Sequence, residues 1–322
     1  MSDALAPVRS RPALGWVVGA AVVLLIAVLP MVLRDSYWRG VLVIGALNVI
    51  LALGLDFIIG YAGQLNLGIS AFYGIGAYAS TLLVTKAGLP FWPALVAGAL
   101  IAGIAGLVLA LFAVRLRGHY LAVASLGFAV ITYEVLINWI SLTDGPLGIY
   151  GILPPPDIAM PGGFVVSFTN QANLFYLIAG VAGLVFLVLR ALVRSPIGEA
   201  LTAVREDEIA ANSLGIDSAR WKMVAFGIGS AVAGLAGGLY PPFIGTLVPD
   251  AFTVVVGFNI LAMVIVGGVG TLTGPVLGAI LLSVLPELLR PLGDARMVLY
   301  GAALTAVVMF APSGIAGLWR RR

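Results

Sequence analysis

The sequence predicts an all-α, polytopic membrane protein: a transmembrane helical bundle of about ten spans with both termini cytoplasmic. Three observations carry this. Hydrophobic residues make up 61% of the 322 positions and charged residues 10%, against about 25% charged in an ordinary soluble domain. The apolar residues gather in runs of about 20, the length that crosses a hydrocarbon core of about 30 Å, where each backbone amide must be paired internally. Lys and Arg collect on one side of those runs, as cytoplasmic loops do.

The runs fall at roughly 14 to 33, 40 to 59, 66 to 86, 91 to 114, 120 to 141, 173 to 193, 221 to 240, 251 to 269, 272 to 290 and 295 to 311. Arg9 and Arg11 precede the first, which reads as a retained helix because no small-x-small cleavage site follows Pro30. The basic side then gathers Arg115 and Arg117, the group Arg190, Arg194, Arg205, Arg220 and Lys222, and Arg320 to Arg322. Opposite, the turns hold Arg34, Arg39, Lys86, Arg290 and Arg296, and the longest outer segment, 142 to 172, has no Lys or Arg. Residues 1 to 322 therefore read as one transmembrane domain, with a cytoplasmic loop at 194 to 220 and an external loop at 142 to 172. The external loop carries Gly145-Pro146, Pro154-Pro155-Pro156 and Pro161-Gly162-Gly163, which cannot continue a helix. It is either a capping or docking surface or a plain connector.

Two spans are broken, near 60 to 70 and 267 to 275. In the first break Gly60, Gly63, Gly68, Gly74 and Gly76 surround Gln64 and Asn66. Irregular backbone at membrane depth persists only where it is buried in protein or lines an aqueous cavity. Close helix packing accounts for Gly74 and Gly76. It does not account for Gln64 and Asn66, which we read as lining a solute pathway, with Tyr61 and Phe72 as its apolar walls. The second break, Gly267-Gly268-Val269-Gly270-Thr271-Leu272, repeats the Gly-x-x-Gly-x-Leu of Gly60 to Leu65 and hints at an internal duplication.

Ionisable groups within spans are costly and point to function. Asp56 precedes the first break and suits either an interfacial or a pathway role. Glu134, placed near the middle of its span, could meet a solute ammonium or Asn138 one turn on. His119 begins a helix and reads as interfacial.

The loop at 194 to 220 reads as a short amphipathic helix with Leu201 and Val204 at helical spacing, an acidic edge at Glu206 to Glu208 and a glycine stop at Gly215. An exposed apolar face on such a helix asks for a partner. Catalysis is not indicated. The chain has no cysteine and one histidine, so thiolate metal sites, cysteine nucleophiles and paired imidazoles are excluded. Neither a phosphate loop nor a basic nucleic-acid patch is present: the two lysines, Lys86 and Lys222, follow Thr85 and Trp221 rather than a glycine. No cofactor and no metal is expected.

These motifs resemble the permease subunits of ATP-binding-cassette importers, specifically the LivM-type permeases of branched-chain amino acid uptake. Gly60-Tyr61-Ala62-Gly63-Gln64-Leu65-Asn66-Leu67-Gly68, with Ala71-Phe72 and Gly74-x-Gly76-Ala77-Tyr78, looks like the signature after the family's second span, and Gly267 to Thr271 with Gly274-Pro275 like a second one. The segment from Ser195-Pro196-x-Gly198 to Ala210-Ala211-x-x-x-Gly215 resembles the loop of importer permeases that docks on the ATPase; here Ile209 stands where that motif has Glu, with Glu208 beside it. The resemblance implies a coupling role for Glu199, Ala200, Arg205, Glu208, Ala210, Ala211 and Gly215. It also implies a second, LivH-like permease, two cytoplasmic ATP-binding subunits and an extracytoplasmic solute-binding protein as partners, in the inner membrane of a prokaryote. The solute would be a branched-chain amino acid, with urea or a short amide as the alternative. A transporter driven by an ion gradient through Asp56 or Glu134 is the rival from another class.

Overall fold

The computed structural model describes residues 35–113, 118–159, 165–293 and 314–320, with isolated positions from 295 to 309. Eleven α-helices of six residues or more organise these residues: α1 (Ser36–Asp56), α2 (Ile69–Thr85), α3 (Phe91–Ala113), α4 (His119–Asn138), α5 (Gln171–Val193), α6 (Pro196–Glu206), α7 (Glu208–Ser213), α8 (Ser218–Leu239), α9 (Val254–Gly267), α10 (Thr273–Leu288) and α11 (Gly314–Arg320). Six of them, α1, α3, α4, α5, α8 and α9 with their adjoining turns, are long and apolar enough to cross a membrane, and α2 and α10 are shorter apolar helices. Eight of the ten expected spans thus coincide with helices. The span at 14 to 33 lies outside the described residues, as does most of that at 295 to 311.

Helix α1 is the axis of the bundle. It starts where the Asp35 carboxylate accepts the Tyr37 amide at 3.1 Å. From Leu51 to Ile58 its side chains are fully buried, Asp56 included, because α5, α8, α9 and α10 all pack on it. Asn48 of α1 donates to the Ser283 hydroxyl of α10 at 2.9 Å. A second group, α2, α3 and α8, packs mutually, and glycine is what allows it. A Cβ on Gly76 of α2 would strike the backbone of Gly234 on α8, and one on Gly229 would stand 2.6 Å from the Gly54 carbonyl oxygen of α1. Where lipid removes the hydrophobic drive between helices, such backbone approach supplies the association energy through van der Waals contact. Gly229→Ala should therefore cost about 2 kcal/mol, the usual scale of overpacking, read as a lowered melting temperature in detergent. Outward, Leu100, Leu111, Phe112, Val123 and Leu187 are exposed, as faces meeting lipid or a second subunit are.

At the end away from the basic cluster, the stretch 142 to 172 carries local structure. Asp144 takes a left-handed turn, with Lys86 donating to the neighbouring Leu142 carbonyl at 2.7 Å. Strand β1 (Ile149–Tyr150) pairs antiparallel with β4 (Thr246–Leu247), tying this loop to the link between α8 and α9, while β2 (Ile158–Ala159) pairs with β3 (Val165–Val166). Among the described residues, these two-residue strands are the only β-structure in an otherwise helical chain.

Candidate functional site at the helix-break junction

The two glycine-rich breaks, 208 residues apart between Gly60 and Gly268, are in contact. Helix α1 ends in a single π-helical turn, Phe57–Tyr61, and the chain runs without regular structure from 62 to 68 before α2 begins. Gly63 needs a positive φ of 67° to make that turn, and the amide of Gln64 reaches back to the Ile58 carbonyl at 3.2 Å. The second break spans 268 to 272, with Gly270 at φ 75°. One oxygen of the buried Asp56 carboxylate accepts the Gly270 amide at 2.7 Å, and the Leu272 amide reaches the Tyr61 hydroxyl at 3.4 Å. Gly60 makes this approach possible, since a Cβ there would collide with both the Asp56 carboxylate and the Gly270 backbone.

A third element enters the same place. Arg205, in the last turn of α6, donates from Nη1 to the Gly60 carbonyl, lies against Gly63, and has Nη1 within 2.8 Å of where a Cβ on Gly270 would stand. Beside it opens a cavity of about 210 Å³ lined by Gln64, Gly118, Arg205, Glu208 and Lys222, among others. Lys222 of α8 is buried and pairs with Glu208 at 2.8 Å, and Glu208 also accepts the Ser218 hydroxyl at 3.1 Å. A buried ammonium is tolerated only with such a counter-charge.

The loop at 194 to 220 is two helices, correcting the single helix expected from spacing. Asp207 is the reason: its extended backbone ends α6 and its carboxylate accepts the amides of Ile209 and Ala210, capping α7. The apolar residues are divided accordingly. Leu201 and Val204 of α6 are buried within this chain, as are Ala200 and Ala211, whereas Ile209 is 71% exposed and Leu214 82% exposed. Glu199, Ala210 and Gly215 are exposed as well, Gly215 at a φ of 85°. The exposed apolar face thus belongs to α7 and its exit, while Arg205, itself an exposed residue, lays its guanidinium on the Gly60 carbonyl.

The expected pathway residues are not gathered in one place. Gln64 lines the cavity and donates to the Ala62 carbonyl at 3.1 Å. Asn66 is fully buried; it accepts the Gly68 amide at 2.7 Å, and its own amide nitrogen has no partner among the described residues. Phe72 is fully buried and packs on Phe128 with ring centroids 5.4 Å apart. Tyr61 is partly exposed beside the breaks. Because α4 ends at Asn138, Glu134 stands in that helix's last turns rather than mid-span, exposed and accepting from Asn138 at 3.1 Å. Sequence reading also missed Ser125 of α4, whose hydroxyl accepts the Leu67 amide at 2.9 Å and holds the first break in place.

Residues 37–312 match the model of a family described as the branched-chain amino acid transport system permease component. Among relatives, the high-affinity branched-chain amino acid transport system permease protein LivM of Escherichia coli is 38% identical over 291 residues, 84% of this chain and 68% of that protein. Its Salmonella typhimurium counterpart is 36% identical over 289 residues, again 84% and 68% of the two chains. The LivH permease protein of Escherichia coli is 26% identical over 297 residues, 85% of this chain and 92% of that protein. No solved structure gives a significant match. With the family model covering nearly the whole span from α1 to α10 and both glycine breaks inside it, the chain belongs to the branched-chain amino acid transport permease family.

Proposed function

We propose that this chain forms half of the pore of an ATP-binding-cassette importer for branched-chain amino acids in a prokaryotic inner membrane, with ten spans and both termini cytoplasmic. A second, related permease would complete the pore, two ATP-binding subunits would supply the energy, and an extracytoplasmic solute-binding protein would deliver the solute. The observation that carries this reading is the α6–α7 hairpin: an exposed apolar edge at Ile209 and Leu214, and an arginine, Arg205, bonded to the Gly60 carbonyl of the first helix break. That arrangement suits an element pushed from outside the chain, and an ATPase that prefers one of two permease states is sufficient to drive the change. Asp56 is held by the Gly270 amide, which favours a structural role for it over an ion-coupling one.

The test is reconstitution in liposomes with and without the partner subunits, following radiolabelled leucine, with urea and acetamide as control solutes. ATP-dependent leucine uptake by the full complex supports the reading, and leucine uptake by this chain alone along a proton or sodium gradient overturns it. Tags at each terminus, assayed for protease access in intact cells, check the topology. For the hairpin itself, Leu214→Asp, at a strongly exposed position, should leave the melting temperature of the isolated chain within about 1 °C, the range of a surface change of under 0.5 kcal/mol. The same change should abolish co-purification of the ATP-binding subunits.

A further inference from the structure

We infer that Arg205 and Asp56 form a two-position latch: the Arg205 guanidinium holds the Gly60 carbonyl in the conformation seen here and transfers to the free oxygen of Asp56 when the α6–α7 hairpin is displaced. The inference rests on reading that hairpin as the coupling element, and it assigns Arg205 a positioning role inside the permease in place of contact with the ATPase. Three observations carry it. Arg205, although exposed, bonds the Gly60 carbonyl and lies against Gly63 in the first break, and its Nη1 is 2.8 Å from where a Cβ on Gly270 of the second break would stand. Asp56 uses one oxygen for the Gly270 amide, while the other is fully buried and has no partner among the described residues. A buried carboxylate oxygen without a donor is costly to maintain. Gly270 neighbours both groups: its amide is bonded to Asp56, and a Cβ on it would stand 2.8 Å from Nη1 of Arg205.

A guanidinium has five donors in a fixed fork, so it suits an exchange between a carbonyl and a carboxylate; a lysine keeps the charge and loses the fork. In the present position, the carbonyl of Gly60 keeps the π-turn tied to α6. After transfer, the charge pair forms between α1 and α6 and the carbonyl is released, so that the two breaks can part. Each position is stabilised by a different partner, which is what a bistable element requires.

The experiment uses the whole complex in liposomes and reads leucine transported per ATP hydrolysed. It compares wild type with Arg205→Gln, Arg205→Lys, Asp56→Asn and the double variant Asp56→Asn with Arg205→Gln. Asp56→Asn keeps an oxygen for the Gly270 amide while removing the charge, so the junction survives. Arg205→Gln should leave the ATP-binding subunits bound and lower the transport-to-hydrolysis ratio about tenfold, within the usual range of coupling between sites. Arg205→Lys should recover part of that loss, and the double variant should be no worse than the poorer single one. Loss of the ATP-binding subunits in Arg205→Gln would make Arg205 a docking residue and overturn the latch. So would independent, multiplying losses in the double variant. Absence of ATP-driven uptake in the wild-type complex would instead remove the importer reading, a result distinct from either.

Discussion

Gly60→Ala is expected to open the helix-break junction, with a loss of about 3 kcal/mol, the upper end of overpacking costs. The methyl has no free direction: the Asp56 carboxylate closes one side and the backbone of Gly270 another. Neither obstacle is a flexible chain end. Asp56 is fixed by its bond to the Gly270 amide, and Gly270 holds a positive φ that depends on the whole second break. To make room, the two breaks must separate, which strands a buried carboxylate without its donor. A lowered melting temperature in detergent, together with faster amide exchange at residues 268 to 272, would report that separation. An unchanged exchange rate there would show that the contact between the breaks does not depend on Gly60. Gly127→Ala, at a glycine with open surroundings, is the matched control.

Glu208→Ala is expected to cost a similar amount by another route. It removes the counter-charge of a lysine that is only 4% exposed. Breaking one side of a buried ion pair typically costs about 3–5 kcal/mol, since the remaining charge keeps its desolvation penalty; the partial exposure of Glu208 puts this pair at the lower end, near about 3 kcal/mol. The cost is linked to Lys222 rather than to α7 itself. Combining Glu208→Ala with Lys222→Met should therefore restore most of the melting temperature, whereas additive losses would mean that the carboxylate acts chiefly through the Ser218 hydroxyl.

The spans were legible because a membrane helix advertises itself by composition: runs such as Val41 to Leu55 or Phe91 to Phe112 admit no other reading in lipid. The breaks were legible too, from glycines where hydropathy still favoured membrane. Their contact was foreshadowed by the repeated Gly-x-x-Gly-x-Leu, although a repeat gives similarity and not adjacency. Spacing alone misled at the cytoplasmic loop, since Leu201, Val204 and Glu208 fit one helix until Asp207 takes an extended backbone to cap the next. Arg205 was grouped with the coupling residues by position in the chain, but where a long flexible side chain lays its guanidinium depends on tertiary contacts that no local pattern encodes. The depth of Glu134 was misplaced for a simpler reason: the apolar run continues past Asn138 through Trp139 and Ile140, hiding the end of α4.

The crossings of α2, α3 and α8 carry a further consequence. Where main chain rests on main chain, as at Gly76 with Gly234, there are no rotamers to rearrange and little slack to take up. Such a trio is expected to move as one body. Helix α1 joins it by the same kind of contact, at Gly54 with Gly229, so a transport cycle would have to find its slack where side chains meet, as at Asn48 with Ser283 between α1 and α10. The broken turns at 62 to 68 and 268 to 272 are then the natural bearings.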